Sequence, residues 1–340
     1  MFFALTDDQR EFDAAVRGYL AERFDLAAVR TVVEDPSSDG HPAALWKAAG
    51  EQGWLAVTVP EEHDGLGLGL VEAQVIGRAL GAGAAPGPWR GTVLAADAIR
   101  LAGSDEQRAA WLPRLAAGDA VGAYATRRTV PGPLPTVEYG GVADVVVARS
   151  VDGLVLVEGA PASGEPSFDG TTRLASIDSG QGTITPLPGS SDAVVAQLTA
   201  RATVLVAADL TGIAREAISR TVAYDREREQ FGVPVGSFQA IKHHLADLHV
   251  AVTLAEHAAL YAAHAVDAGL DDADLAVAVA KSKCSDTALD ATAAMIQYHG
   301  GIGYTWEHEA HFFYKRAKRL AGVLGDGAVH RARVAELTIG

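Results

Sequence analysis

Three long segments rich in alanine, valine and leucine constrain the fold of this chain more than any other feature of its sequence. They run over residues 193–226, 240–268 and 273–298, and a helical pattern continues from there to the C-terminus. Their apolar faces are larger than one bundle needs to bury. The sequence therefore predicts a C-terminal four-helix bundle domain, residues 193–340, that also assembles into oligomers.

The first 120 residues predict an N-terminal helical domain. Thr6 and Gln9 have the spacing of a capping box ahead of an amphipathic first helix. Further helical patterns cover residues 43–52, 70–80 and 105–117.

The pattern changes between residues 121 and 192. Two β-branched runs, residues 142–149 and 154–157, flank Asp152-Gly153, which predicts a hairpin turn. Residues 125–141 are rich in proline and glycine and show too little periodicity to predict a strand. With two further short stretches, residues 169–174 and 182–188, this region forms a shortened middle β-domain. The predicted fold class is mainly α with a small β-domain.

Composition and charge narrow the classes of function. A net charge of −15 argues against broad nucleic-acid binding. The chain has a single cysteine, Cys284, which excludes an internal disulfide and fits a cytoplasmic protein. Cys284 lies in an apolar helical pattern, which predicts a buried thiol. No stretch has the length and pattern to require a membrane, and the histidines near the C-terminus do not have the spacing of a metal site. The basic run at residues 315–319 is interpreted as a solvated helix face, with the anchoring of phosphates or of a partner's acidic surface as the alternative.

Residues 224–239 carry the most distinctive side chains of the chain. Arg228, Gln230, Phe231 and Gly232 lie where a helix is predicted to end, since Gly232 frees the backbone and Pro234 stops a helix from continuing. A guanidinium suits a pyrophosphate, and a phenyl ring and an amide suit the face and the edge of a base, so this set suits a dinucleotide. By spacing alone, an ordinary helix end with a charged last turn is the simpler interpretation.

Four motifs in a fixed order resemble the signature of the acyl-CoA dehydrogenase family. Residues 228–239 resemble its R-x-Q-F-G-x-P-x-G-x-F-Q stretch, with residues 209–214 and 240–247 on either side as the family has them. Residues 297–304 resemble its Q-x-x-G-G-x-G-(F/Y) stretch, and residues 60–67 its P-E-x-x-G-G-x-G loop. Members of this family are flavoproteins that oxidise acyl-CoA thioesters to enoyl-CoA. The resemblance implies an N-terminal helical domain (1–120), a reduced middle β-domain (121–192) and a C-terminal helical bundle domain (193–340).

The resemblance also implies an FAD site that two subunits share. In the family, these segments hold the ADP half of an FAD whose isoalloxazine ring lies in the neighbouring subunit. The corresponding residues here are Arg228, Gln230, Phe231, Gly232, Gln239, Gln297, Gly300 and Gly301. The alternative for the glycines is that they only end a helix.

In the family, other segments of each subunit bind that subunit's own flavin ring and substrate. This sequence lacks them at the expected places. The family's T-E-P-x-x-G-S-D segment is replaced by residues 123–131, and no tryptophan lies between Trp111 and Trp306, so the strand beside the flavin is predicted to be deleted. The two positions of the family's catalytic Glu hold Leu324 and Ala202. Asp326 is the candidate substitute base, but an aspartate that caps the last helix is the favoured interpretation.

The retained and missing parts together imply a subunit without a catalytic residue. Its partner would be a full-length acyl-CoA dehydrogenase in an α2β2 tetramer, supplying the Glu, the isoalloxazine pocket and the acyl-CoA site. The resemblance implies electron-transfer flavoprotein as the acceptor, and residues 305–311 resemble a stretch of actinobacterial enzymes of steroid degradation. Two alternatives stay open: a self-sufficient homo-oligomeric FAD enzyme that uses Asp326, and a scaffold without flavin.

Overall fold

The computed structural model describes residues 4–340, without the side chains of residues 126–128. In this range the chain forms eleven α-helices and nine β-strands. The helices are α1 (Asp7–Arg23), α2 (Leu26–Glu34), α3 (Ala43–Glu51), α4 (Leu70–Ala82), α5 (Trp89–Ala102), α6 (Asp105–Ala117), α7 (Asp192–Glu227), α8 (Gln239–Ala268), α9 (Ala273–Tyr298), α10 (Ala310–Gly322) and α11 (Gly327–Ile339). The strands are β1 (Gly122–Thr129), β2 (Pro133–Glu138), β3 (Val145–Ser150), β4 (Gly153–Glu158), β5 (Ala162–Glu165), β6 (Leu174–Asp178), β7 (Thr183–Pro186), β8 (Glu229–Gln230) and β9 (Val233–Pro234).

The helices confirm the predicted fold class, mainly α with a small β region and a C-terminal helical bundle. The capping box is present, since Gln9 N donates to Thr6 Oγ1 and Thr6 N donates to Gln9 Oε1. Helix α5 was not predicted from the sequence. This helix is buried on nearly every side, so its sequence lacks the one-sided apolar pattern of a surface helix.

The chain packs as two compact units. Unit 1 contains residues up to 27, 74–85 and 203–340, and unit 2 contains residues 28–73 and 86–202. Helices α2, α4 and α7 contribute residues to both units. The division into three domains at residues 120 and 192 stays a prediction.

Unit 2 holds two β-sheets, with strand orders β1-β3-β4-β7 and β2-β6-β5. Strands β3 and β4 pair antiparallel across the turn that Asp152-Gly153 predicted. Side chains of β3 alternate between two cores: Val145 and Val147 pack with residues of α5 and α6, whereas Val146 and Ala148 pack with residues of the second sheet. Each face of β3 is therefore buried, as its continuous run of β-branched residues requires.

Two strands occupy the segment for which the sequence predicted none. Strand β1 ends at Thr129 and β2 spans Pro133–Glu138, within residues 125–141, where the sequence shows too little periodicity to predict a strand. The buried side chains of β2 are Leu134 and Val137, which are three residues apart because the register with β6 shifts between them. Because of that irregularity, buried and exposed residues do not alternate along β2, and it is this alternation that predicts a strand from sequence.

Unit 1 is built around α9, which packs against α8, α10 and α11. Cys284 of α9 is fully buried, as predicted, and burial raises the pKa of its thiol to about 12. Helix α7 is long and apolar enough to cross a membrane, by length and composition alone. Of its most apolar 18-residue stretch, 61% is buried inside the protein.

Candidate functional site

A two-residue hairpin turn displays Phe231 at the end of the bundle. Helix α7 ends at Glu227, and β8 and β9 follow as a tight pair in which Gln230 lies opposite Val233. Phe231 and Gly232 occupy the turn with φ of 56° and 78°. The interpretation in which Gly232 ends the helix was therefore wrong: Gly232 serves a hairpin turn that needs positive φ at both central positions.

Phe231 is held in an unfavourable position on two counts. Its left-handed backbone costs an L-residue about 1 kcal/mol, and its side chain is 94% exposed to solvent. Its ring contact within the chain is an edge-on approach to Phe238, with centroids 6.3 Å apart. A strained and exposed aromatic residue is typical of a contact surface rather than of the core.

The second predicted segment follows the end of α9. Helix α9 ends at Tyr298, and Gly300 adopts φ of 62°, so Gly300 takes part in ending this helix. Its contact with a cofactor stays a prediction. A Cβ added at Gly300 or Gly301 would meet nothing within 4 Å. The open backbone in front of both glycines leaves room for the close approach of a ligand.

Ring contacts bring the two segments together. Tyr224, in the last turn of α7, stacks on His299 with centroids 4.4 Å apart. His244, in the second turn of α8, lies with Nδ1 2.5 Å from the hydroxyl of Tyr298. The ends of α7 and α9 and the start of α8 therefore meet at one end of the bundle. All eight residues predicted for the FAD contact are exposed there: Arg228, Gln230, Phe231, Gly232, Gln239, Gln297, Gly300 and Gly301.

Helix α8 begins beside the hairpin without a side-chain cap. Gln239 is its first residue, and the N-cap residue Phe238 makes no capping hydrogen bond. The carbonyl of Arg228 accepts a hydrogen bond from Val235 N at 2.7 Å, which fixes the backbone of Arg228 in the turn that leads into α8. An uncapped helix N-terminus is an arrangement that attracts phosphate.

The two positions that the resemblance assigns to the family's catalytic Glu hold apolar side chains. Leu324 is half-buried in a loop with φ of 59°, and Ala202 is buried in α7. Asp326 caps α11 as predicted, since its Oδ1 accepts a hydrogen bond from Val329 N at 2.9 Å. That backbone hydrogen bond lowers the pKa of Asp326, whereas a general base in a desolvated site is tuned upward.

Lys281 is a residue of this region that sequence reasoning missed. Its ammonium is buried and donates to Ser285 Oγ at 3.1 Å, Ala321 O at 3.0 Å and Gly325 O at 2.8 Å. Burial lowers the pKa of Lys281 to about 8. The lysine thereby fixes the loop that contains Leu324. The sequence signal was its position, since Lys281 falls at helical spacing from the apolar residues Val277, Cys284 and Ala288.

Three histidines near the C-terminus, His299, His308 and His311, make ring contacts. His308 lies against His299 with ring centroids 4.3 Å apart, and burial lowers the pKa of His299. Among residues 4–340, no group of three or more possible ligand side chains could hold a metal ion.

Comparison with known proteins identifies the family. The family model of the acyl-CoA dehydrogenase N-terminal domain matches residues 6–119, and that of the C-terminal domain matches residues 193–338. Acyl-CoA dehydrogenase IpdE2 of Mycobacterium tuberculosis is 34% identical over 320 residues, which are 94% of this chain and 93% of that protein.

Two solved structures share the fold over nearly their whole length. The ChsE4–ChsE5 complex from Mycobacterium tuberculosis contains a chain with a TM-score of 0.89 and 24% identity, covering 99% of this chain and 98% of that one. A variant of the Tcur3481–Tcur3483 steroid acyl-CoA dehydrogenase has a TM-score of 0.86 and 26% identity, covering 98% of both chains. This chain belongs to the acyl-CoA dehydrogenase family.

Proposed function

We propose that this chain is the subunit of a heteromeric acyl-CoA dehydrogenase that lacks the catalytic base and holds the ADP half of an FAD bound mainly by its partner. One observation carries the proposal. The exposed contact residues, from Arg228 to Gly301, lie at one end of the bundle, whereas both positions of the catalytic Glu hold apolar side chains. The surface for a neighbour's cofactor is retained and the chain's own base is not.

The residues at the end of the bundle fit the ADP half of FAD. Arg228 and the N-terminus of α8 provide positive charge for the pyrophosphate. The backbone at Gly300 and Gly301 is open to close approach. Phe231 presents a ring that can cover a flat heterocycle. These residues bind and orient the cofactor and perform no proton transfer.

The dehydrogenation reaction needs a catalytic carboxylate that this chain does not provide. Dehydrogenation removes a proton from the α-carbon of the thioester, while FAD, when bound, accepts the hydride from the β-carbon. Proton removal requires a carboxylate next to the α-carbon with a pKa raised by a dry pocket. Leu324 and Ala202 cannot accept a proton, and Asp326 is exposed and committed to α11. The base therefore comes from the partner subunit.

The partner in this proposal is a full-length member of the same family, in an α2β2 assembly. Support comes from the solved heteromeric complexes of similar fold, one of which is described as a steroid enzyme. We propose CoA thioesters of bulky, steroid-type side chains as substrates, and electron-transfer flavoprotein as the acceptor.

Flavin content and mass of the purified chain test this function. The chain is expressed alone and together with a full-length acyl-CoA dehydrogenase of the same genome that retains the catalytic Glu. We expect the chain alone to be colourless and the pair to co-purify with bound FAD. Arg228→Ala should reduce the FAD content of the complex, whereas Arg17→Ala, an exposed arginine of α1, should leave it unchanged.

Other outcomes would favour the competing functions. One tightly bound FAD per chain in a homo-oligomer with turnover would make the protein a self-sufficient enzyme. A complex whose flavin content is unaffected by Arg228→Ala would remove the cofactor role and leave a scaffold.

A further inference from the structure

A groove between α7 and α8 lies outside the residues assigned to FAD. It has a volume of about 490 Å³, and its apolar walls come from both helices: Ile218 and Val222 of α7, and Leu245 and Ala246 of α8. Pro234 and the short turn at residues 235–237 border it on the side of the hairpin. We call this cavity the α7–α8 groove.

A buried carboxylate without a partner lines this groove. Asp225, in the last turn of α7, is 1% exposed. Neither of its carboxyl oxygens has a hydrogen-bond partner in the part of the chain that the structure describes. The turn at Gly236 packs over its backbone, since a Cβ at Gly236 would lie 3.0 Å from Asp225 O. The carboxylate is thus held in the wall of the groove with almost no exposed surface.

The basic residues of the groove make no hydrogen bond to this carboxylate. Arg226, Lys242 and His249 also line the groove, yet none of them bonds Asp225. His249 instead places its Nδ1 3.1 Å from Arg215 Nη1. Burial alone accounts for the raised pKa of Asp225. A buried carboxylate normally has a donor or a counterion, so the groove lacks one half of an ion pair.

The outer face of α8 shows what kind of molecule covers the groove. Val250 and Leu254 are 58% and 56% exposed and follow Ala246 at spacings of four residues, so they extend the apolar wall of the groove along the helix. The opposite face of α8 is buried in the bundle. A second apolar face of this length matches another polypeptide rather than a small molecule.

We propose that the α7–α8 groove receives an arginine side chain of the partner subunit, with Asp225 as its counterion. A planar guanidinium can donate to both carboxyl oxygens at once, and its stem suits the apolar walls. This inference rests on the proposed heteromer and names a contact by which the partner is recognised. It adds a site to the cofactor contacts, because Asp225 is not one of them.

The first experiment uses agmatine as a free mimic of the arginine side chain. Agmatine is titrated into the isolated chain, and binding is followed by chemical shifts of α7 and α8 amides. We expect saturable binding with a Kd on the order of 1–10 mM, and at least about tenfold weaker binding to Asp225→Asn. Asp247→Asn, an exposed aspartate of α8, is the matched control and should bind agmatine like the wild type.

Two results of this titration would overturn the proposal. Equal binding to the wild type and Asp225→Asn would show that the cation does not use this carboxylate. Binding that arises only in Lys242→Met would show that Lys242 of the same chain is the counterion in solution.

The second experiment measures assembly with the co-expressed full-length dehydrogenase. Asp225→Asn should weaken the complex at least about tenfold, since it removes one partner of a desolvated charge pair, and Asp271→Asn, an exposed loop residue, should not. If Asp225→Asn co-purifies with the partner as well as the wild type does, this inference is wrong, whereas the proposed function is unaffected. Failure of the wild-type chain to co-purify would remove the partner and both proposals with it.

Discussion

The ring of Tyr224 stacks on the ring of His299 with centroids 4.4 Å apart, and this contact joins the end of α7 to the end of α9. Arg228 lies four residues beyond Tyr224, and Gly300 directly follows His299. The two halves of the proposed cofactor surface are thereby aligned by one pair of rings.

Removal of this ring should weaken FAD binding without touching a cofactor contact. An aromatic pair contributes about 1 kcal/mol, so Tyr224→Ala should raise the Kd of the complex for FAD about five- to tenfold. The measurement is fluorescence titration of the flavin-free complex. Tyr224→Phe keeps the ring and should bind like the wild type; an equal loss in both variants would contradict the stacking argument.

The contribution of Asp225 to the stability of the isolated chain should fall as the pH rises from about 4 to about 6. Burial raises the pKa of Asp225 from 3.8 to about 6, so in this range the folded chain holds a proton that the unfolded chain has released. A shift of about two pKa units corresponds to about 3 kcal/mol. The free energy of unfolding in urea, compared between the wild type and Asp225→Asn, isolates this contribution. Parallel pH curves for the two proteins would show that Asp225 is already paired.

Loss of Arg316 should destabilise unit 1 severely. Its Nε and Nη2 donate to the two carboxyl oxygens of Asp209 at 3.0 and 2.7 Å, and its Nη1 donates to Ala85 O at 3.1 Å. Arg316→Met leaves the Asp209 carboxylate buried without its counterion and should cost about 3–5 kcal/mol in chemical denaturation. Lys318→Met, on the exposed side of the same helix, should change stability by less than about 0.5 kcal/mol.

Asp326→Asn should leave turnover of the assembled enzyme nearly unchanged. Asparagine caps a helix as well as aspartate does, and the lowered pKa of Asp326 makes it a poor base. Steady-state turnover with the co-expressed partner is the measurement. A loss of about 10²–10⁴-fold, the contribution of a general base, would instead place Asp326 in the catalytic step.

The sequence predicted the long helices well because their apolar residues repeat on one face. Helix α9 begins and ends at the predicted residues, and α6 does the same. It failed where tertiary packing overrides the pattern: α5 is buried all round, and β2 carries an irregular register. The predicted FAD contacts stay a prediction, although the structure gathers all eight at one end of the bundle.

Ion pairs between distant residues were beyond prediction. The run at residues 315–319 was interpreted as a solvated face, which is wrong for Arg316 because its partner, Asp209, lies 107 residues earlier. The lack of a partner for Asp225 could not be predicted either. In the sequence, Asp225 is one of several charged residues at the end of a helix and does not differ from its neighbours Arg226 and Glu227. Periodicity reports which face of a helix is buried, not which charges meet there.

The exposed turn of Phe231 has a consequence for the amounts of protein in the cell. In the proposed heteromer, a copy without its partner exposes this ring to solvent, together with the 90% exposed Tyr304 and the 71% exposed Trp306. Exposed apolar surface of this kind promotes aggregation and capture by chaperones and proteases. We therefore expect orphan copies to be short-lived, so that the supply of one subunit is adjusted to the supply of the other by degradation rather than by synthesis.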